Sequence, residues 1–407
     1  MATVPISAVS FLSTLGVNTH LEEGTAEYGN LSDVIADLNY LGINQIRDDI
    51  TDGGGPLPLS SYATLANAGV HFAFLSLCGG TTTPASLAST IATIAAINAA
   101  NPGSVIAVEG PNEINNFSMT YNGVAGTAGA VAFQERLYTD VHSNPDLAGV
   151  SVYYFTGYGQ SGEATSTPLA VGPNPYTTAG LADYDNGHPY PQAGQAPYSW
   201  ISLAGVPNEV PSSLLNESAP YGPFVFTETG YSSDDVSLKV QAQYTIDLLF
   251  DAASQGSSKT FLYELMDEGD GMGLFNATTP KPVATAIHNL TTILADSGTG
   301  GVAPTALNDT ITGLSSNGHS LLIEKSTGIF DLALWNEGSR SSNVSVNLGA
   351  TYASVDVVDV VTGETVSSQS NVSSVSMALG QDPYIVEITG QATSGGGSTT
   401  GTHHHHH

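Results

Sequence analysis

Apolar and polar positions follow two alternating patterns over residues 1–297. Short apolar runs predict β-strands, and the stretches between them repeat apolar residues at helical spacing. Residues 31–38 are apolar at positions i, i+3, i+4 and i+7, which predicts an amphipathic helix. The run HFAFLSL has no polar face, as is typical of a strand buried on both sides of a parallel sheet.

These patterns predict the order of elements in the first part of the chain. Strands are predicted at residues 6–12, 43–47, 70–77, 105–108, 150–155, 185–189, 224–227 and 260–263. Helices are predicted between them, among others at 31–41, 84–100, 128–141, 238–253 and 282–294. Eight strands alternating with helices over about 300 residues predict a closed (β/α)₈ TIM barrel. A doubly wound open sheet is the alternative, but LSTLGVNTH contains no glycine-rich phosphate turn.

The pattern changes after about residue 298. Segments such as SLLIEKS, FDLALWNE and YIVEITG alternate with a period of two, and turns recur between them. We therefore expect an all-β sandwich domain over residues 298–391, after a barrel over 1–297. Residues 392–407 are predicted to be a flexible Gly/Ser linker that ends in a pentahistidine tag.

Composition narrows the class of partner. Seven Lys and Arg residues stand against 37 Asp and Glu, which gives a formal net charge of −30. This charge argues against nucleic acid and against anionic membrane surfaces, since both are bound through clustered basic residues. No run is long and apolar enough to span a membrane, and the first residues lack the basic start of a signal peptide. Few lysines and many Ser, Thr, Asn and Gly residues favour a secreted, cell-surface or periplasmic protein.

Two glutamates follow predicted barrel strands, where the catalytic groups of TIM barrels lie. Glu113 comes just after the fourth strand, in VIAVEGPNEINN, and Glu228 ends the seventh strand, in PFVFTETGYSS. A single strand-end glutamate is more often a solvated surface acid. The fourth and seventh strands face each other across a barrel mouth, so the two carboxylates should converge. Such a pair is what glycosidic bond cleavage requires.

These residues, together with four others, resemble the catalytic motifs of the clan A retaining glycoside hydrolases. Asn112-Glu113 is similar to the general acid/base motif of the clan, Glu228 to its nucleophile, and Arg47 to the arginine beneath the nucleophile. His188 and Tyr190, in GHPYP, fall where the clan often carries sugar-contacting residues. A sandwich after the barrel is most similar to family 39, which includes xylosidases and iduronidases.

The resemblance implies a function and one departure from the clan. It implies double displacement on β-linked, or equivalently oriented α-L, sugars of a poly- or oligosaccharide, without metal or organic cofactor. The eighth strand of the clan usually ends in a Trp that forms the floor of the sugar site. Here FLYELMDEG places Tyr263 or Glu264 in that neighbourhood, and Glu264 is a candidate substrate contact. Ile114 also stands where family 39 usually has a proline.

Several candidates keep two interpretations. Arg47 either belongs to the active site or forms a structural ion pair with Asp48 or Asp49. His20, near the end of the first strand, either lines the mouth or is structural. Aromatic side chains suit the apolar faces of sugars, although about half should be ordinary packing; the strand-end aromatics include Tyr153, Tyr154, Phe155, Tyr158, Tyr198, Trp200 and Tyr231. Among them, Tyr154 and Tyr231 are predicted substrate contacts.

Two further features favour the less specific interpretation. Cys78 has no evident activating partner and is expected to be inert packing. The acidic segment 267–271 could hold Ca²⁺ through carboxylate oxygens, but it lacks the spacing of a calcium loop and is expected to be solvated. The competing function is a non-catalytic carbohydrate-binding or surface adhesion protein on a barrel scaffold.

Overall fold

The N-terminal segment differs from the predicted first barrel strand. The computed structural model describes residues 2–24, 26–158, 173, 175, 177–191, 194–198, 223–298 and 305–392. A two-residue strand, β1 (Ile6–Ser7), is followed by a short helix, α1 (Ala8–Leu12). The side chain of Ser7 accepts a hydrogen bond from the backbone N–H of Ser10 at 3.0 Å, and this N-cap starts the helix within a run whose apolar residues suggested a strand. The prediction of a strand over residues 6–12 is therefore wrong.

Eight parallel strands form the barrel. In chain order they are β2 (Leu15–Asn18), β3 (Gln45–Asp49), β4 (His71–Leu75), β6 (Val105–Glu109), β9 (Ser151–Tyr153), β10 (Asp185–Gly187), β11 (Phe224–Thr229) and β12 (Thr260–Leu262). Their hydrogen-bonded order is β10-β11-β12-β2-β3-β4-β6-β9. A parallel bridge between Tyr153 and Tyr184 joins the two ends of this order. The predicted TIM barrel is confirmed.

Helices of the described part lie between these strands. They are α2 (Leu31–Leu41), α3 (Leu59–Asn67), α4 (Pro84–Ala100), α5 (Gly126–Ser143), α6 (Leu238–Gln255) and α7 (Pro282–Leu294). The predicted bounds of α2, α4 and α7 agree with the structure. Helix α2 begins where the side chain of Asn30 accepts the N–H of Asp33, and it ends at Gly42, whose φ of 70° favours glycine. No helix in the described ranges is long and apolar enough to cross a membrane.

Short strands extend the loops above two barrel strands. Strand β5 (Gly80–Thr82) pairs with β7 (Met119–Tyr121), which in turn pairs with β8 (Val124–Ala125). Strands β13 (Phe275–Asn276) and β14 (Thr279–Pro280) form a separate hairpin before α7. The first of these small sheets ties the loop that follows β4 to the loop that follows β6.

An antiparallel β-sandwich follows the barrel. Its strands are β15 (Thr310–Thr312), β16 (Gly318–Glu324), β17 (Phe330–Asn336), β18 (Ser342–Asp359), β19 (Thr365–Leu379) and β20 (Tyr384–Gln391). The long strand β18 pairs with β15 near its start and with β20 near its end. Its register is irregular between Asn347 and Tyr352, around Gly349 with a φ of 74°. This break lets one continuous sheet fold over a shared apolar core.

The barrel and the sandwich are joined by contacts far apart in sequence. Strand β1 pairs in parallel with β16, so the N-terminal residues belong to the sheet of the sandwich. Trp335, on β17, is buried against Phe250 of α6, with ring centroids 5.1 Å apart. Its indole N–H also donates to the Asp251 carboxylate at 3.0 Å. The apolar character of FDLALWNE is explained by this interface.

Two buried carboxyls, Glu22 and Asp331, each lie beside a second acid, although Lys325 lies 3.9 Å from Asp331. Glu22 and Asp48 form one such pair, with Tyr62 donating to Glu22 at 2.8 Å and Thr19 donating to Asp48 at 2.5 Å. Burial and the adjacent Asp48 charge raise the pKa of Glu22 to about 12. Burial and a hydrogen bond with Glu387 likewise raise the pKa of Asp331 to about 9. Such a pair is stable when the two acids share a proton.

The sign of the pH dependence follows from the raised pKa. The folded chain keeps the Glu22 proton at a pH where the unfolded chain, with an ordinary carboxyl pKa of 4.5, has lost it. The folded state therefore binds more protons, and the stability that this acid contributes is full below about pH 4.5 and declines as pH rises towards 12.

Glu22→Gln should remove this dependence on pH. Its amide donates a hydrogen bond to Asp48 without titrating, so we expect little change in melting temperature at about pH 4 and a clear rise at about pH 8. Thermal unfolding across this range measures the effect. Glu135→Gln, at an exposed position of α5, is the control and should leave the profile unchanged. Equal shifts at both pH values would contradict proton sharing at Glu22.

Candidate active site

Arg47 is the centre of a polar network inside the barrel, near the C-terminal ends of the strands. It lies on β3 and is only 4% exposed. Its Nη1 donates to Glu228 Oε2 at 2.7 Å and its Nη2 donates to Glu109 Oε2 at 2.5 Å. Burial disfavours the charged guanidinium, but the Glu109 and Glu228 carboxylates outweigh burial and hold the pKa of Arg47 above its usual range. The alternative ion pair with Asp48 or Asp49 is not formed.

Glu109 is a member of this network that the sequence analysis did not single out. It ends β6 and is 1% exposed. Besides Arg47, it accepts a hydrogen bond from Asn186 Nδ2 at 3.0 Å. Its sequence signal was present, since Glu109 interrupts the apolar run VIAVE as Arg47 interrupts its own strand. A buried acid and a buried base each need a partner, and only β4 separates the strands that carry these two.

Glu228 is held ionised at the end of β11. Arg47 donates to one of its oxygens, and the Tyr190 hydroxyl donates to the other at 2.8 Å. Burial alone would raise the pKa of this carboxyl. The positive charges of His188 and Arg47 and the two hydrogen bonds outweigh burial, so the pKa of Glu228 is lowered below its ordinary value.

Glu113 lies in the loop that follows β6, four residues beyond Glu109. Its φ of 36° is in the left-handed region, which is uncommon for a residue with a side chain. Its backbone N–H donates to Thr156 Oγ1 at 2.9 Å, and its carboxylate accepts the Asn116 side chain at 3.0 Å. This turn directs Glu113 to His188, whose Nδ1 lies 2.5 Å from Glu113 Oε2.

His188 connects the two glutamates. Its Nδ1 lies 2.5 Å from Glu113 and 3.7 Å from Glu228, and its Nε2 lies 2.8 Å from Thr227 Oγ1. Thr227 donates its own proton to Asn186 Oδ1 at 3.0 Å, so its oxygen is left to accept an Nε2–H. Burial disfavours a charged imidazole, but the two glutamates outweigh it and raise the pKa of His188. Both ring nitrogens are thus placed to carry protons.

A cavity of about 470 Å³ opens above these groups. Arg47, Glu113 and Glu228 line it. Asn112 also lines it and accepts a hydrogen bond from Arg47 at 2.9 Å. The other lining residues include a half-exposed Phe117 and acids on one wall. The described residues that line it are Asn18, Thr19, His20, Glu23, Arg47, Asp49, Asp52, Leu75, Cys78, Asn112, Glu113, Phe117, Glu228 and Tyr263.

The wall beside β2 and β3 is acidic. Glu23, Asp49 and Asp52 line it, and His20 contacts Glu23 at 3.0 Å. Burial raises the pKa of Asp49 to about 6 and also raises the pKa of Glu23. Arg47 is the single Lys or Arg side chain among the lining residues, and it is already bound to two carboxylates. This wall therefore presents negative charge to the cavity.

The eighth strand places Tyr263, and not Glu264, in the cavity. Tyr263 lines it, and its hydroxyl lies 2.9 Å from His20 Nε2. Glu264 is 1% exposed and accepts a hydrogen bond from Tyr28 at 2.7 Å. Of the two residues left open by the sequence, Tyr263 lines the cavity, whereas Glu264 is not among its described lining residues.

Two predicted aromatic contacts lie outside the cavity. Tyr154 is fully buried, stacks on Phe155 and donates to the Pro173 carbonyl at 2.7 Å. Tyr231 is 4% exposed and donates to the Gln195 carbonyl at 2.6 Å. In the described structure both act as packing residues with a satisfied hydroxyl. Another of the strand-end aromatics, Trp200, lies outside the described residues.

The less specific interpretation holds for Cys78, whereas the acidic loop keeps both of its interpretations. Burial and the nearby Asp49 raise the pKa of the Cys78 thiol to about 12, so it stays protonated. In the loop, Asp267 accepts the backbone N–H groups of Gly269 and Gly273, and Asp270 accepts that of Met272. Glu268 of this loop belongs, with His20 and Glu264, to one group of described residues that could hold a metal.

Glu113, His188 and Glu228 form one of those clusters, because one donor atom of each lies within 4.8 Å of the others. The same geometry brings an oxygen of Glu113 within 4.8 Å of one of Glu228. Arg47 lies 2.7 Å from Glu228 and would repel a cation at this point. The arrangement is suited to a reaction in which one carboxylate attacks a bound molecule and the other transfers a proton.

Comparison with solved structures finds the same fold among glycoside hydrolases. A family 39 glycoside hydrolase from Bacteroides cellulosilyticus is similar at 16% identity with a TM-score of 0.67, over 94% of this chain and 82% of that one. A family 39 β-xylosidase from Caulobacter crescentus is similar at 13% identity with a TM-score of 0.63, over 96% and 98%. The bifunctional glucanase-xylanase CelM2 from a metagenome library is similar at 13% identity with a TM-score of 0.63, over 96% of this chain and 97% of that one. At these identities the likeness establishes the fold.

Sequence comparison adds no family. No protein-family model matches the chain, and no curated protein is found to be related to it.

Removal of one Arg47 partner should destabilise the barrel. In Glu109→Gln an amide NH₂ group faces the N–H groups of Arg47 and Asn186, so we expect a loss of about 3 kcal/mol in the free energy of unfolding. Urea denaturation measures it. The control is Asp140→Asn, which breaks the exposed Arg136–Asp140 pair at 2.9 Å and should cost less than about 1 kcal/mol. Equal effects of the two variants would show that the buried network has no special weight.

Proposed function

We propose that this protein is a retaining glycoside hydrolase that cleaves β-linked, or equivalently oriented α-L, sugars. The observation that carries the proposal is the spacing of the two carboxylates, with oxygens of Glu113 and Glu228 within 4.8 Å. Retaining enzymes hold their carboxyl groups about 5–5.5 Å apart, whereas inverting enzymes leave roughly 6.5–9.5 Å for a water molecule. The fold shared with glycoside hydrolases supports the same reaction class.

Glu228 is the proposed nucleophile. Its lowered pKa keeps it ionised, and Arg47 and Tyr190 hold its two oxygens at the cavity. In the first step a Glu228 oxygen bonds to the anomeric carbon while the bond from that carbon to the leaving oxygen breaks. Arg47 and Tyr190 are positioning residues that orient the carboxylate.

Glu113 is the proposed general acid and base. It gives a proton to the leaving oxygen in the first step. In the second step it takes a proton from the water that attacks the anomeric carbon and frees Glu228. His188, at 2.5 Å, shares a proton with Glu113 and can supply the one that the leaving group receives. Two carboxylates and water complete the reaction, so it needs no cofactor.

The cavity supports a neutral sugar at the cleavage site. Phe117 and Tyr263 offer aromatic surface, and Asn112 offers a polar group. A sugar carboxylate would meet Glu23, Asp49 and Asp52, and the described lining residues offer no free Lys or Arg to pair with it, because Arg47 is already bound by Glu109 and Glu228. Within the breadth of family 39, this favours xylosidase-type over iduronidase-type substrates. We propose a poly- or oligosaccharide outside the cell as the source.

Two variants should separate the roles of the glutamates. Glu228→Gln should lower kcat on every substrate by at least about 1000-fold, because no covalent intermediate forms. Glu113→Ala should keep the first step on aryl glycosides with good leaving groups, and added azide should restore turnover as a glycosyl azide of retained configuration. Rates and NMR of the first-formed anomer measure both.

The assignments fail under two outcomes. Full activity of Glu113→Ala on a poor leaving group would remove its acid role, and an inverted first product would remove the double displacement. Sugar binding with no turnover of any glycoside by the unaltered protein would instead identify a non-catalytic carbohydrate-binding protein.

The charge of the sugar should control kcat/KM. Aryl glucosides and glucuronides form a matched pair that differs in a CH₂OH group and a carboxylate, as do galactosides and galacturonides. We expect the neutral member of each pair to react at least about tenfold faster, because like charges meet at the cavity wall. Asp52→Asn should narrow the ratio, and so should added salt. Faster cleavage of the uronide would contradict this assignment.

A further inference from the structure

A second cluster of titratable side chains lies between the barrel and the sandwich. Asp247 and Asp251 are one turn apart on α6 of the barrel, His319 is on β16, and Glu337 directly follows β17. We call these four residues the interdomain cluster. Both aspartates are fully buried, and the Glu337 side chain is 3% exposed. None of the four residues is among the described residues that line the cavity, and the mechanism does not use the cluster.

Asp251 and Glu337 each have one oxygen that accepts a hydrogen bond and one that accepts none from the described residues. Asp251 Oδ1 accepts from the Trp335 indole at 3.0 Å, and Glu337 Oε1 accepts from the backbone N–H of Tyr198 at 2.9 Å. Asp251 Oδ2 and Glu337 Oε2 are buried and accept no hydrogen bond from the described residues. This is the arrangement of monodentate metal ligands, whose second oxygen is held by a neighbouring N–H group.

His319 supplies a third donor atom. Its Nε2 lies 3.0 Å from Glu337 Oε2, yet the two atoms are not aligned as a hydrogen bond. Adjacent ligands of a tetrahedral ion bound at about 2.1 Å lie roughly 3.4 Å apart, which is close to this separation. One donor atom each of Asp251, His319 and Glu337 lies within 4.8 Å of the others. Tyr198 stacks on the His319 ring, with centroids 4.2 Å apart, and holds its orientation.

The electrostatics of the cluster require a positive charge. Asp251 is fully buried, and its Oδ2 accepts no hydrogen bond from the described residues. Asp247 is also fully buried, and neither of its oxygens has a hydrogen-bond donor in the described structure. Among described residues, the one ion-pair partner of these acids is His319. Either retained protons or a bound cation must balance three buried carboxyls.

We propose that Asp251, His319 and Glu337 bind a divalent transition-metal ion, with Zn²⁺ as the preferred ion, between the barrel and the sandwich. One imidazole nitrogen and two carboxylate oxygens form a mixed donor set that suits Zn²⁺ better than Ca²⁺, which prefers oxygen alone. Asp247 adds negative charge from the next turn of α6. The His319 side chain is 19% exposed and provides an entry path. The ion links α6 to the sheet of the sandwich and is structural.

Calorimetric titration of Zn²⁺ into the chelator-treated full chain at about pH 7 tests the proposal. The tag at 403–407 must first be cleaved, because its histidines bind Zn²⁺ themselves. We expect one ion per chain, and at least about tenfold weaker binding in Asp251→Asn and in His319→Gln. At roughly a hundredfold excess over Kd, Zn²⁺ should raise the melting temperature by about 5 °C in the unaltered chain and not in these variants.

A matched control separates this cluster from the cavity. His20, Glu23 and Asp52 form another group that could hold a metal, so Glu23→Gln tests binding there. This variant should keep the Zn²⁺ affinity and the thermal shift. Metal-free Asp251→Asn should also melt at least as high as the unaltered chain at about pH 7, which shows that it folds.

Three results would overturn the proposal. The first is the absence of saturable Zn²⁺ binding, and the second is binding lost in Glu23→Gln but kept in His319→Gln. The third is stabilisation of the chain by lower pH with no response to Zn²⁺, which would assign the cluster to shared protons alone. Activity is not the readout, so these results leave the proposed hydrolase function untouched.

Discussion

The ion pairs of Arg47 are the interaction on which the proposed active site depends. One buried guanidinium contacts Glu109, Glu228, Asn18 and Asn112 at once, and thereby brings groups from β2, β3, β6 and β11 to one point. Without this charge, two carboxylates would be buried together in an apolar barrel, and both would tend to keep their protons. Glu228 would then lose the ionised state that a nucleophile needs. The same contact supports the fold and prepares the proposed chemistry.

The chain has few cations, and this constraint is visible throughout the structure. With seven Lys and Arg residues for 37 acids, most buried carboxyls cannot have a basic partner. Glu22 beside Asp48 shares a proton instead, and Asp331 and Glu387 have one lysine, Lys325, between them. Arg47 lies where the proposed reaction requires a permanently ionised carboxylate. At the Glu22–Asp48 pair, a retained proton lowers the negative charge instead. The resulting fold should be most stable in acid, and its cavity wall should favour neutral sugars.

The sandwich is more than an appended module. The N-terminal strand β1 belongs to its sheet, and Trp335 fills the interface with α6. The interdomain cluster lies at the same interface, where Asp251 receives the indole hydrogen bond. Since the first and last thirds of the chain contribute to one sheet, the barrel and the sandwich are expected to lose stability together. The charge balance of the cluster should therefore affect the stability of α6, which is a helix of the barrel.

The sequence by itself determined the barrel, the sandwich and the strand-end positions of Glu113 and Glu228, because period and turn residues are local properties of the chain. It missed helix α1, since the Ser7 cap competes with an apolar run over only a few residues. Only the tertiary structure decided which charges meet. Arg47 and Glu109 are 62 positions apart, and Tyr263 enters the cavity while its neighbour Glu264 turns to Tyr28. Such choices depend on barrel closure, which sets the partner of each buried charge and is not encoded in any single segment.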